Sequence, residues 1–587
     1  MSVTTTIGDD EPAKPASQVD NSPAAIEADV HVQPSAGSLR IGVMLDSLRG
    51  PRWIAKVIGD ITKRSDLALT LVVVDADAGG TLRRPKSWRE WLRRQRAALP
   101  HRLWEWYEAA DYRRFRHEGE DPFTIVDLAP LLGSANVVVA SPLRTKVVDR
   151  FQPDDIARIK QAGLDVMIRF GFRIIKGDIL GAARYGVWSI HHGDNRAYRG
   201  GPALFWEMYE RNPQSGSVLQ ILTDQLDGGR VIYRSTSATN FVSLHKNRRE
   251  TYWKTAEFIT RRLTDLKCEG WPFLERLDTY QEADTYARGI YRRPTNTQMV
   301  RFLVRTAAYR LEQKLVSLLE DQWIVAIRPR SDRPAPYTFM EPPSGRFFAD
   351  PCLAEDNGRT FVFFEDYAHR RGRGVIACAE IHDAKAGEIA TVLERDYHLS
   401  YPFVFRWRDA WWMVPETSER RTVELYRARR FPTDWVLETT LLHNVNACDA
   451  TLLEWNGRWW MFATICVPGG PTTDELSLYY ADTLFGPWHG HARNPVISDV
   501  RHARSAGAIF REGDTLVRPA QDCSRGYGHA ITLNRIDCLT DLEYRETTIG
   551  TISPTWAPRM RATHTLARTV RYEAIDGRVL RWRLTRG

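Results

Sequence analysis

Cysteine is scarce in this chain, with seven in 587 residues (Cys268, Cys352, Cys378, Cys448, Cys466, Cys523 and Cys538), and none forms a C-x-x-C pair. That odd, scattered set indicates neither a disulfide framework nor a cysteine zinc site. No stretch of eighteen uncharged apolar residues occurs, so no membrane-crossing helix is expected. The first residues lack a basic stretch followed by an apolar one, so no secretory leader is expected, and the expected compartment is the cytoplasm. There is no G-x-x-x-x-G-K-[ST] phosphate loop and no G-x-G-x-x-G opening the first strand, which disfavours ATP and nicotinamide cofactors. The net charge of +8 is small for this length. It permits an anionic substrate or membrane surface and does not require nucleic acid.

The chain is instead rich in aromatics, with 20 Trp, 21 Tyr and 22 Phe at 43% hydrophobic residues, the composition of a packed protein of at least two domains. Residues 1–38 are Ser-, Thr-, Pro- and Ala-rich without apolar periodicity and are expected to be a disordered tail. From Leu39 short buried runs (LRIGVMLDS, LALTLVVVDA, ANVVVAS, LDVMIRFGF) alternate with helical or polar segments. This predicts an α/β domain over 39–290 with a mainly parallel, Rossmann-type sheet. Within it, residues 82–118 are dense in Arg and Trp. A solvated helical insertion packing its Trp side inward is the expected form, and contact with an anionic membrane surface the alternative. A helical connector is expected from Thr297 to Asp321, within a linker over 291–335.

The C-terminal part, 336–587, is all-β and repeats. FFADPCLAEDNGRTFVFFED, YPFVFRWRDAWWMVPETS, CDATLLEWNGRWWMFATI, SAGAIFREGDTLVRPAQD and THTLARTVRYEAIDGRVLRWRL each pair two apolar strands around a polar turn. Their openings at Asp350, Tyr401, Asp449, Ser505 and Thr563 lie 51, 48, 56 and 58 residues apart by subtraction. Five hairpin repeats near a period of fifty predict a five-bladed β-propeller.

In the first domain GVWSI predicts a strand ending at His191, where open α/β sheets gather ligands, and SGSVLQILTDQLDGGRVIY predicts a hairpin carrying Asp227 in its turn. An imidazole beside a carboxylate can relay protons in acyl transfer. His192 faces the opposite way and is expected to be structural. LDVMIRFGFRIIKGDIL, SIHHGDNRAYRGGPALFWEMYER and SGSVLQILTDQLDGGRVIYRS together resemble the N-terminal domain of the formyltransferases that act on methionyl-tRNA, glycinamide ribonucleotide and amino sugars. The resemblance implies an α/β formyltransferase-like fold, 10-formyltetrahydrofolate as cofactor and a primary amine as acceptor, with His191 and Asp227 catalytic. The family's Asn, donor to the developing oxyanion, is replaced by Ser189, and such a donor is worth about 2–4 kcal/mol. Asn195, Tyr198 and Arg199 in the following loop are the candidate substrate contacts, Arg199 for an anionic group.

FFADPCLAEDNGRTFVFFED resembles the first blade of glycoside hydrolase propellers of the family 43 type. That implies Asp350 as general base and Asp449 as the residue that tunes the acid. The acid itself, a Glu opening the fourth blade, is missing from RSAGAIF, leaving Glu416 of PETS as the substitute. HLSYPFVF, PETS, ELYRA, GPWHGHARNPV and RPAQDCSRGYG are also similar to the N-terminal domain of the plant glucosamine inositolphosphorylceramide transferases. The reading that follows is formyl transfer to an amino sugar or glycolipid, with the propeller binding the carbohydrate. Its alternatives are a carbohydrate-binding scaffold, and a glycosyl-transferring or glycoside-hydrolysing propeller.

Overall fold

The computed structural model describes residues 37–582, apart from 77–86, 90, 91, 93, 94, 97, 98, 146, 226–228, 278–288, 317 and 332–334. Nearly all of the tail, Asp227, and much of the Arg/Trp segment lie outside the described residues.

Seven strands form the first sheet: β1 (Leu39–Leu45), β2 (Leu67–Asp75), β3 (Asn136–Ala140), β4 (Val166–Arg169), β5 (Val187–His191), β6 (Gln214–Ile221) and β7 (Val231–Ala238), in the order β7-β6-β5-β4-β1-β2-β3. The five strands from β5 to β3 run parallel. The β6–β7 hairpin adds two antiparallel strands at the edge. Val43, Val72, Val166, Ile168 and Trp188 are buried in one core with helix α1 (Arg52–Thr62). These continuous apolar runs are what a sheet covered on both faces demands. The strand order reverses between β1 and β4, which opens a crevice at their carboxyl ends. Gly171 closes that crevice, since a Cβ there would stand 2.3 Å from the Asp46 nitrogen.

The described part of the Arg/Trp segment includes helix α2 (Arg102–Phe115), which turns Trp104, Tyr107 and Phe115 inward against neighbouring helices and leaves Trp106 exposed. Helix α3 (Leu244–Glu269) starts at Ser243, whose hydroxyl accepts the Lys246 N–H at 3.2 Å, and ends at Gly270 with φ 65°. Helix α4 (Asn296–Val316) packs Phe302 on Tyr107 and Phe205.

The second half is a ring of five sheets, each built on a four-stranded meander, that is, a five-bladed propeller. The helical connector and linker require correction. Helix α4 stops at Val316, and strand β8 (Leu319–Pro329) pairs antiparallel with Tyr572–Trp582, from Leu319 opposite Trp582 to Pro329 opposite Tyr572. The fifth blade is therefore Leu566–Arg568, Tyr572–Trp582, β8 and Thr338–Met340, so the propeller begins near Leu319 and not at 336. Pairing the propeller's first strand with its last closes the ring.

The two halves share a polar interface. Lys254 of α3 donates to Asp474 at 2.8 Å, both side chains 1% exposed, and Arg261 pairs with Glu475 at 2.9 Å. Ser498 donates to Ser235 at 2.7 Å, linking the propeller to β7.

Candidate functional site

At the end of β5, His191 Nε2 lies 3.0 Å from the Tyr198 carbonyl. A carbonyl only accepts, so Nε2 carries the proton and Nδ1 keeps the lone pair. Gly193, with φ 159°, makes this contact possible, because a Cβ would sit 2.9 Å from the same carbonyl. His192 stacks on Tyr252 at 3.6 Å and meets Thr255 Oγ1 at 3.0 Å. Burial pushes its imidazole down to about 3, so it is a neutral structural side chain.

The other residues chosen around His191 are corrected by burial. Ser189 is 2% exposed and its oxygen accepts from Arg169 Nε at 3.2 Å and Nη2 at 3.1 Å. Arg169 also donates to the carbonyls of Phe172 and Arg173. The hydroxyl oxygen thus accepts from a guanidinium, which leaves its own proton to donate. Asn195 is 0% exposed and Arg199 is buried. Tyr198 donates to Glu210 at 3.1 Å and accepts from Asn212 at 3.2 Å. The loop folds flat onto β6, where a Cβ on Gly216 would lie 2.7 Å from the Asp194 nitrogen, and both polar atoms of the Asn195 amide are buried there without a hydrogen-bond partner.

The propeller axis is built differently. The first three blades break their inner strands by a two-residue bulge, and the first residue of each has positive φ: Asp350 (55°), Tyr401 (43°) and Asp449 (52°). A non-glycine residue in this region costs about 1–2 kcal/mol, strain that recurs where a side chain must be aimed. All three side chains are buried. Asp350 accepts from Thr565 Oγ1 at 2.9 Å and from the Tyr401 N–H at 3.2 Å. Its neighbour His564 lies 3.7 Å away through Nε2 and holds Asp576 through Nδ1 at 2.5 Å. His564 stacks on Trp323 at 3.9 Å.

Asp449 and Glu416 share one guanidinium. Arg504 donates to Asp449 through Nε at 2.6 Å and Nη2 at 3.2 Å, and to Glu416 through Nη2 at 3.4 Å. Gln521 adds a bond to Asp449 at 3.0 Å, and Glu416 accepts the Asp449 N–H at 3.3 Å. The second-blade carboxylate thus lies against Asp449, while an arginine stands where the fourth-blade acid was sought. Glu365 joins from the first blade. His398 accepts the Gly374 N–H on Nδ1 at 2.9 Å, so its Nε2 proton faces Glu365 at 3.6 Å.

Carboxylates here outnumber cations, with Asp350, Glu365, Glu416, Asp449 and Asp576 set against Arg504 and His564. Burial, only partly offset by Arg504, pushes Asp449 up to about 7. Burial and the neighbouring carboxylates raise Glu365 well above the usual range, and burial raises Asp350. His564 is raised although burial opposes its charge, because Asp576 and Asp350 face it. A cavity of about 50 Å³ lined by Asp350, Tyr401, Gly507 and Thr565 reaches Asp350 between apolar walls that include Leu353 and Phe403. Arg504 also donates to the Thr472 carbonyl at 3.2 Å, two residues before the Asp474 that meets Lys254. One loop therefore ties the axis to the α/β half.

Sequence reasoning missed Arg504, Glu365, His564 and Asp576. Arg504 immediately precedes the fourth-blade opening and was legible there as a cation in place of an acid. Asp576-Gly577 reads as turn chemistry but lies mid-strand, where a Cβ on Gly577 would sit 2.5 Å from the Met560 sulfur.

Residues 337–576 match the family model described as glucosamine inositolphosphorylceramide transferase 1, N-terminal. The glucosamine inositolphosphorylceramide transferase 1 of Oryza sativa subsp. japonica is 35% identical over 209 residues, 35% of this chain and 28% of that protein. This chain thus spans little more than a quarter of that relative's length. A methionyl-tRNA formyltransferase of Chlorobium phaeovibrioides is 28% identical over 148 residues, 24% of this chain and 43% of the other. Among solved structures, the exo-beta-1,3-galactanase of Clostridium thermocellum aligns at 12% identity over 34% of this chain and 49% of that one, with a TM-score of 0.29.

Proposed function

We propose that this chain is a transferase directed at an amino sugar of a glycoconjugate, with the sugar held at the propeller axis. The observation that carries this reading is the excess of buried carboxylates over cations around Asp449. A sugar bearing a free ammonium supplies the missing positive charge, and its hydroxyls match the carboxylate acceptors and the Gln521 amide. Glycoside hydrolysis is disfavoured, since a guanidinium stays protonated and cannot hand a proton to a leaving oxygen. The name of the rice relative, a glucosamine inositolphosphorylceramide transferase, supports the same substrate class.

Calorimetry with a glucosamine-terminated inositol phosphate headgroup, its N-acetyl counterpart and the glucose analogue tests this. The free amine is expected to bind at least about tenfold tighter than either neutral sugar, one charge-assisted contact being worth about 1.5–3 kcal/mol. Equal affinity for the three sinks the proposal.

A finer reading, formyl transfer to that amine, rests on His191. Its Nδ1 lone pair at the carboxyl end of β5 is placed to accept the proton an amine releases on acylation. The similarity to methionyl-tRNA formyltransferases supports it. 10-Formyltetrahydrofolate, when bound, would supply the formyl group. The donor set fits the proton-accepting half of that chemistry, while the one hydroxyl at the family's donor position, Ser189, is 2% exposed. Mass spectrometry of the amino sugar after incubation with the folate tests this second reading: formylation lost in His191→Ala supports it, and no mass gain with the wild-type chain overturns it.

A further inference from the structure

Helix α4 leaves one face uncovered. Val300, Val304, Leu311 and Leu315 are 53%, 65%, 58% and 56% exposed, while Met299, Phe302 and Thr306 are buried against the α/β domain. At 100° per residue the four exposed side chains, with Ala307 and Ala308, form one stripe roughly 100° wide and about 22 Å long. Arg301 and Arg305 flank it on one side and Lys314 on the other, and Glu312 is the helix's one acidic residue. Trp106 of α2, 58% exposed, stands beside it across a groove of about 540 Å³ shared with Leu303 and Ala307 and rimmed by Arg114 and Arg310. Among the described residues no helix is long and apolar enough to cross a membrane.

We propose that α4 and Trp106 form a docking face for the surface of an anionic bilayer, with α4 lying in the plane of the headgroups. An apolar stripe bounded on both sides by cations, with an exposed Trp at its edge, is the pattern of a helix that buries one face among acyl chains while its basic side chains reach phosphate. The charge asymmetry selects this occupant. Across 296–316 the exposed Arg301 and Arg305, with Lys314 on the other flank, stand against the single acid Glu312, while Arg310 is paired with Asp111 at 3.3 Å. A second copy of the same stripe would bring these cations onto one another, whereas an anionic lipid surface neutralises them. The proposal is independent of which site carries the chemistry.

Cosedimentation of the full chain with phosphatidylcholine vesicles, with and without about one third phosphatidylglycerol, tests it. The expected result is binding to the anionic vesicles, at least about tenfold weaker binding to the neutral ones, and marked weakening in high salt. Val304→Glu/Leu311→Glu and, separately, Arg301→Glu/Arg305→Glu should each reduce the partition about tenfold or more. Both lie on exposed positions, and unchanged circular dichroism and melting confirm folding. If either pair disturbs folding, Val304→Ser/Leu311→Ser replaces it. Three results overturn the proposal: no vesicle binding, binding indifferent to lipid charge and to all variants, or a concentration-dependent dimer that Val304→Glu/Leu311→Glu abolishes.

Discussion

Two buried charge clusters sit in the same propeller and behave oppositely. In the fourth blade, Glu546 accepts Arg518 Nε at 2.8 Å and Nη2 at 2.7 Å and faces His502 Nδ1 at 3.0 Å, while His502 also approaches Asp499 at 3.7 Å. Burial works against these charges, yet Arg518 and His502 hold Glu546 at about 2, and Asp499 and Glu546 lift His502 to about 9. Every member is driven toward its charged form, since each has a counter-ion. At the axis the same burial wins over the counter-ions: Asp449 rises to about 7 and Glu365 well beyond the usual carboxylate range. A balanced cluster is a structural tie, and an unbalanced one is a site awaiting a charge from outside.

The largest effect is expected from breaking the balanced cluster. Arg518→Met leaves Glu546 buried without its main partner and should cost about 3–5 kcal/mol in denaturant or thermal unfolding. The loss should be read at pH 8, where Glu546, held at about 2 in the wild type, is fully ionised.

Arg504→Met at the axis should also destabilise, by about 2–4 kcal/mol at pH 8, but by much less at pH 5.5. Asp449 has a raised native pKa, so the folded chain keeps a proton that the unfolded chain has released. Its stabilising contribution is complete below the ordinary carboxylate value and is lost as pH rises through about 7. Without Arg504 the acid form is therefore the tolerated one. A pH-independent loss would mean that the axis is as balanced as the fourth blade.

Amino-sugar binding should strengthen several-fold between pH 5.5 and 7 as Asp449 gives up its proton, read by calorimetry in two buffers of different ionisation heat. An affinity flat across that interval, with no proton release, breaks the electrostatic reading of the axis. The smallest effect belongs to Glu365→Gln. At pH 7 the side chain is already held toward its neutral form, so the amide should change stability by no more than about 0.5 kcal/mol. Toward pH 9 the variant should lose less stability than the wild type, because the carboxyl that must ionise has gone.

Much of this architecture was legible in the chain. Strands β1, β2 and β4 announce themselves as continuous apolar runs, and the five hairpin repeats place Asp350, Tyr401 and Asp449 at matching bulges. Strand β8 was not legible, because its partner is remote: Arg328 pairs with Glu573 across 245 residues, and no local pattern encodes such a pairing. At the candidate sites, residue identity carried His191, Asp350 and Asp449, while access did not follow from it. Ser189 has the right chemistry for a donor, but its burial follows from the strands packed around it, including Arg169 twenty residues away on the neighbouring strand. Glu365 and Asp576 come from second strands, where repeat openings give no signal, whereas His564 directly follows the opening Thr563.

The pairing of β8 with Tyr572–Trp582 also sets an order of events during synthesis. The first sheet can pack as soon as it leaves the ribosome, whereas the ring stays unlatched until its final strand has been made. Four blades must wait beside an open gap whose waiting edge is β8. The interval between translating Trp323 and translating Gly577, which stand close to each other in the finished latch, is thus the period in which this chain most needs protection from pairing with another copy of itself.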